Sequence, residues 1–381
     1  MKKSMRASRR VRTEGTMRLA LVGPLPPPAG GMANQTRQLA GLLRTGGVDV
    51  ALVRTNEPYR PAWVESIRGV RAAFRLAPYV LRLASLAKAC DVAHVMANSG
   101  WAWHLFAAPA VRLMSRRNVP VIVNYRGGLA REFLRRSGSS VLRTLRRADA
   151  VVVPTRFLQQ VFGEYGIETR IIPNIVDLDL FRPAHQVPHG PVHIVIARNL
   201  EHIYGIDIAI RAVSILRART ADVRVSIAGE GPQRQSLERL AAEQGLASCV
   251  RFTGSLDPTG IAALYREAHI ALNPSRADNA PNSLLEAAAC GLPIVSTNVG
   301  GIPYLVEHMR TAWLVPPEDP HAMAEGISQV LNDSSLREAL RTNGLALARS
   351  CSWSEIGRQW IDLYLAVCRT RPTRAIPIGV D

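Results

Sequence analysis

A chain of 381 residues, 47% hydrophobic and 20% charged, is long enough for two domain-sized cores and has the composition of a folded protein, which excludes the disordered and fibrous classes. Its net charge is +17, and 44 of its 47 basic residues are arginines, since only Lys2, Lys3 and Lys88 are lysines. Such a field favours an anionic partner. With no interleaving of basic and aromatic residues and no nucleic-acid motif, the partner expected is a phosphorylated substrate or an anionic bilayer surface, not nucleic acid.

The five cysteines, Cys90, Cys249, Cys290, Cys351 and Cys368, are scattered, odd in number and without Cys-x-x-Cys spacing. They argue against a disulfide framework and a zinc site and suit a reducing cytosol. The most apolar stretch, 101–114, contains His104, Pro109 and Arg112 and falls short of the roughly 20 residues that a bilayer span needs.

In chain order, residues 1–16 read as a basic, disordered tail, because the "MRLALVGPLPPP" that follows is too short and too proline-rich for a signal segment. Strands are expected near 19–23, 48–53, 91–96, 119–124, 150–153 and 170–172, alternating with helical patterns, one of them over 32–43. After the proline-rich link 182–191 the alternation restarts, with strands near 193–197, 223–228, 250–252, 270–273, 294–296 and 312–314. This is an α/β chain of two doubly wound, Rossmann-like domains, 17–185 and 186–350, facing across a cleft. A C-terminal segment, 351–381, carries an amphipathic helix expected to pack through Trp353, Trp360 and Leu365.

Ligands of such sheets bind beyond the carboxyl ends of the strands, so the loops there hold the candidate site. After the first strand, Gly30-Gly31 before a helix lets backbone approach a phosphate. "NYRGG" sets Arg126 at the end of the fourth strand, and "ARNLEHIYGID" sets Arg198 where its guanidinium fork can reach a diphosphate. In "SRADNAPNSLLEAAACG", Asp278 and Glu286 flank Asn282 and Ser283. Ser283 and Glu286 have the spacing of a capping box, and the two carboxylates could equally hold two sugar diols. Spacing alone leaves both readings open.

Gly30-Gly31, "IIPNIVDLDLFRP", Arg198, "AGEGP", "FTGS", Pro274-Ser275, the acid pair, "LEAAACGLPIVSTNVGGIP" and Trp353, in that order, closely resemble the family-4 retaining glycosyltransferases of the two-Rossmann B-type (GT-B) fold. The resemblance runs from about Met17 to Cys368. It implies that the second half binds a nucleotide sugar, a UDP- or GDP-sugar, with Glu286 on the ribose hydroxyls and Asp278 on those of the transferred sugar. It implies further that Gly30, Gly31, Arg198, Tyr204, Asn282 and Ser283 lie along the donor, that Arg126 stands near the reacting sugar, and that the C-terminal helix crosses back to the first domain. No metal or other cofactor is expected. The "DLD" of Asp177 to Asp179 falls in a structural part of the pattern, and Arg198 with a helix N-terminus would carry the charge of the departing diphosphate.

Four positions depart from the family pattern: Asp278 for Glu, Tyr204 for a phosphate-binding Lys, Arg126 for His, and Tyr304 for Glu. On the acceptor side, Arg68, Arg71, Arg75 and Arg82 fall near one helical face, with Pro78 a candidate break, and Arg131, Arg135, Arg136, Arg143, Arg146 and Arg147 follow. They suit a lipid-linked or glycan acceptor at the cytoplasmic face of a membrane. The alternatives are a nucleotide-sugar epimerase on the same fold and a catalytically silent, basic binding module.

Overall fold

The computed structural model describes residues 16–27, 30–58, 63, 67, 70–184, 190–218 and 222–370. Residues 1–15 of the expected tail, residues 185–189 of the link and Arg68 lie outside the described residues, as does the side chain of Arg71.

Runs of buried Val, Ile, Leu and Ala form strands covered on both faces, which is why they read as continuous apolar stretches in the sequence. The first six are β1 (Arg18–Gly23), β2 (Asp49–Arg54), β3 (Val92–Ala97), β4 (Val121–Tyr125), β5 (Ala150–Val153) and β6 (Arg170–Ile171), in the sheet order β2-β1-β3-β4-β5-β6. The second six are β7 (Val192–Ala197), β8 (Val223–Ala228), β9 (Val250–Gly254), β10 (Ile270–Asn273), β11 (Ile294–Thr297) and β12 (Trp313–Val315), in the order β12-β11-β10-β7-β8-β9. Every pairing is parallel, and each of the twelve expected strands overlaps its counterpart.

The helices of the first half are α1 (Gly31–Thr45), α2 (Val70–Leu86), α3 (Ala108–Arg116), α4 (Ala130–Leu145) and α5 (Arg156–Gly163). Those of the second are α6 (Ile206–Arg217), α7 (Arg234–Glu243), α8 (Pro258–Arg266), α9 (Asn282–Ala289), α10 (Ile302–Leu305), α11 (Pro320–Asn332) and α12 (Ser334–Ser350), followed by α13 (Trp353–Thr370). One apolar cluster fills the outer face of the first sheet and a second that of the other. A third is continuous from β1 and α1 through residues 172–181 and α13 into α9 and β10, so the two halves share a core.

The last helix closes the first domain. Trp360 and Tyr364 are fully buried, and His94 of β3 stacks on Trp360 with ring centroids 4.7 Å apart. Arg126 Nε donates to Asn124 Oδ1 (3.3 Å), so Asn124 offers its NH2 to His94 Nε2 (3.1 Å) and the proton of the imidazole sits on Nδ1, facing the Tyr364 hydroxyl (2.8 Å). Burial, with Arg126 nearby, pushes the His94 pKa down to about 3, so the ring is neutral.

Two expectations are corrected. Leu365 is exposed, and Leu363, Tyr364 and Val367 do the packing instead. Nor does Pro78 interrupt α2: it sits on the exposed side, where water can satisfy the carbonyl that loses its partner.

Candidate functional site

The strand order reverses between β1 and β3 in one sheet and between β7 and β10 in the other, and the loops that leave β1, β7 and β10 meet at these switch points. Between them lies an open cleft of about 160 Å3. Gly30, Gly31 and Asn34 form one wall; Arg198, Asn199 and Tyr204 follow β7; Asn282, Ser283 and Glu286 come from the first turns of α9. Seven of the residues singled out in the sequence are thus brought together: Gly30, Gly31, Arg198, Tyr204, Asn282, Ser283 and Glu286.

Arg198 leaves the end of β7 with its backbone N–H bonded to Ala228 O (3.0 Å). Its guanidinium forms an ion pair with Asp278, donates to Ser275 Oγ (3.1 Å) and lies over the Tyr204 ring, 4.3 Å from the centroid. Tyr204, standing where the family pattern has lysine, therefore holds the arginine by a cation–π contact. The side chains of Arg198 and Asp278 are 11% and 15% exposed, so the pair is little screened by water. Arg198 Nε is buried and has no hydrogen-bond partner, a donor left for a ligand. Burial lowers the guanidinium's pKa, opposed by Tyr204, Tyr265 and Glu286.

The capping-box reading is overturned. Pro281, with φ −65°, is the N-cap of α9, and no side chain caps the helix. Ser283 is instead inside the first turn, and its hydroxyl is buried without a partner. Helix α1 likewise starts from Gly30 with no side-chain cap, whereas α8, whose start also reaches the cleft through Leu256 and Ile261, is capped by Asp257, and α5, α11 and α12 are capped by Thr155, Asp319 and Asp333. At the cleft, the starts of α1 and α9 keep their N–H groups and positive ends open. Glu286, one turn further along α9, has its pKa raised to about 7 by burial, with Arg198 pulling the other way.

Asp278 and Arg126 do not line the cleft. Asp278 is occupied by Arg198 and accepts from the Asn279 N–H (2.8 Å). Arg126 is held at the end of β4 by its backbone bond to Ala97 O (2.9 Å) and by Asn124, and burial lowers its pKa to about 10. The loop it begins abuts the acid nonetheless: a Cβ on Gly128 would lie 3.5 Å from the Asp278 carbonyl carbon. Tyr304 bridges the domains through Gln160 Oε1 (2.8 Å), and Thr155 Oγ1 donates to Asn279 Oδ1 (2.6 Å) across the same boundary.

Of the basic acceptor-side residues, Arg82 is exposed on α2, as are Phe74 and Leu81, and Arg75 is half-buried, while Arg131 and Arg136 pair with Glu164 and Glu132. Asp177 accepts from the N–H groups of Asp179 and Leu180 (both 3.1 Å), a turn-making role. Among the described residues there is no group of three or more His, Cys, Asp or Glu suited to a metal, and no helix is long and apolar enough to cross a membrane. Sequence reasoning missed Asn34, whose buried Oδ1 is unpaired on the cleft wall, and Asn199; each lies a few residues beyond a motif that was recognised.

Two parallel six-stranded sheets with their switch points facing across such a cleft define the two-domain GT-B fold. Sucrose-phosphate synthase from Thermosynechococcus elongatus superposes with a TM-score of 0.75 at 20% identity, over 93% of this chain and 100% of that one. Anabaena Alr3699/HepE, solved in complex with UDP-glucose, gives 0.72 at 18% identity, over 91% and 99%. Residues 29–180 match Glycosyltransferase Family 4, and residues 190–333 match Glycosyl transferases group 1. The chain belongs to the family-4 type of glycosyltransferases. It is 25% identical over 406 residues to a glycogen synthase of Mycobacterium tuberculosis (95% of this chain, 98% of that one). It is 31% identical over 249 residues to a D-inositol 3-phosphate glycosyltransferase of Corynebacterium urealyticum (59% and 58%).

Proposed function

We propose that this glycosyltransferase moves a sugar, with retention of anomeric configuration and without a metal, from a UDP- or GDP-sugar to a lipid-linked or glycan acceptor in cell-envelope or exopolysaccharide synthesis. The donor would occupy the 186–350 domain and the acceptor the 17–185 domain. The observation that carries the reading is the cleft itself, where two uncapped helix starts, Arg198 Nε and Ser283 Oγ offer unpaired donors on the same cleft wall as one carboxylate, Glu286. Donors without partners suit a diphosphate, and an acceptor-only carboxylate suits a ribose diol. As the leaving diphosphate gains charge, Arg198 and the start of α9 stabilise it without reorganising, which supports metal independence. UDP-glucose bound to a protein of the same fold supports the choice of donor. Retention rests on the family resemblance.

Donor hydrolysis or transfer, assayed over a panel of UDP-, GDP- and ADP-sugars with and without a chelator, tests the reading. Glu286→Ala is expected to cut turnover of the accepted donor by about two orders of magnitude or more. Unchanged turnover would remove Glu286 from the site.

A further inference from the structure

Asn174 lies in the segment between β6 and β7, outside the cleft wall and outside every role assigned above. Its Nδ2 donates both to the backbone carbonyl of Ala280 (2.8 Å) and to Asn282 Oδ1 (2.6 Å). Asn282, the first residue of α9, in turn donates through Nδ2 to the backbone carbonyl of Gly31 (3.2 Å) across the cleft. A carbonyl oxygen stands at each end of this chain, and carbonyls only accept. Asn174 must therefore present its NH2 to Ala280, which leaves its donor side facing Asn282 and obliges Asn282 to answer with oxygen. The Asn282 NH2 is then turned, with no alternative, towards Gly31 and the cleft.

Resting on the nucleotide-sugar reading, we propose that Asn174 is a positioning residue for the donor site. Through Asn282 Oδ1 it fixes a neutral NH2 donor beside the Gly30-Gly31 turn, at the helix start where the diphosphate binds. The cleft wall has tyrosine at position 204 where the family pattern carries lysine, and among the described residues lining it Arg198 is the only cation. A carboxamide held donor-first supplies a hydrogen bond to phosphate oxygen without adding charge. Because the same NH2 touches Gly31, donor entry and the contact between the two domains share one group.

Calorimetric titration of UDP and GDP into wild type, Asn174→Asp, Asn282→Ala and the double variant tests this, with cooperative melting as the check on folding. An aspartate at 174 can only accept, so it turns Asn282 round and aims Oδ1 at the phosphates. Asn174→Asp and Asn282→Ala are each expected to weaken nucleotide binding about 10- to 100-fold and to raise the KM for the donor more than they lower kcat. In the double variant the loss should match that of Asn282→Ala alone. If Asn174→Asp does not fold, Asn174→Ala, which removes the donor without adding charge, takes its place. Additive losses, or an unchanged affinity in the Asn174 variant, would overturn the positioning role while leaving the site intact. A wild-type protein that binds neither nucleotide would overturn the site reading and the inference together.

Discussion

Glu286 is where residue chemistry bears most directly on behaviour. Its native pKa of about 7 lies above the ordinary 4.5, so between those values the folded protein keeps a proton that the unfolded chain has lost. A raised carboxyl pKa means stability is fully present at low pH and declines as pH rises through the window from about 4.5 to 7, by about 3 kcal/mol for a shift of that size. Denaturant unfolding at pH 5 and pH 8 should show this slope in wild type and a flatter one in Glu286→Gln. Binding runs the opposite way, since only the ionised carboxylate accepts both hydroxyls of a diol. Affinity for a UDP-sugar should rise through pH 7 in wild type relative to the glutamine variant, and parallel profiles would count against the ribose contact.

At the scale of elements, α9 sacrifices stability for an open N-terminus. Ser283 Oγ is desolvated and unbonded, so Ser283→Ala should leave the nucleotide-free melting temperature equal or higher, while nucleotide affinity falls several-fold. A fall in both would mark the hydroxyl as a structural group. The capping-box pattern misled because it weighs Ser283 and Glu286 alone, whereas Pro281 fixes the backbone two residues earlier and takes the cap position. Strands were legible since each buried parallel strand is a local run of β-branched and aliphatic residues. The union of Arg198 with Asp278 was not, because it joins loops from β7 and β10 that only the sheet order brings together. Gly229, in the "AGEGP" stretch, has a φ of +153°, and a Cβ there would collide with the carbonyl oxygen of Arg198, so it fixes where that arginine starts.

For the whole molecule, the +17 charge and the exposed Phe74, Leu81 and Arg82 of α2 give an expectation about surfaces. The protein should float with anionic vesicles at low salt and be released as ionic strength shortens the Debye length below about 8 Å. Replacing Arg68, Arg71 and Arg82 with Glu should weaken flotation; equal flotation would remove the membrane from the proposed function. The division into two halves was legible from the restarted alternation. The return of the last helix to the first domain was expected from the family resemblance, with Trp360 packing; its partner His94 was not legible, because the contact joins elements far apart in the chain.

That last helix also dictates an order of assembly. The hydroxyl of Tyr364 answers an imidazole made 270 positions earlier, so a nascent chain emerging from the ribosome carries His94 without its Tyr364 and Trp360 partners throughout synthesis of the entire second sheet. The part translated first is completed last. A polypeptide released before residue 353 would leave the surface that Trp360 and Tyr364 cover open to chaperones and proteases, however well its later half had folded.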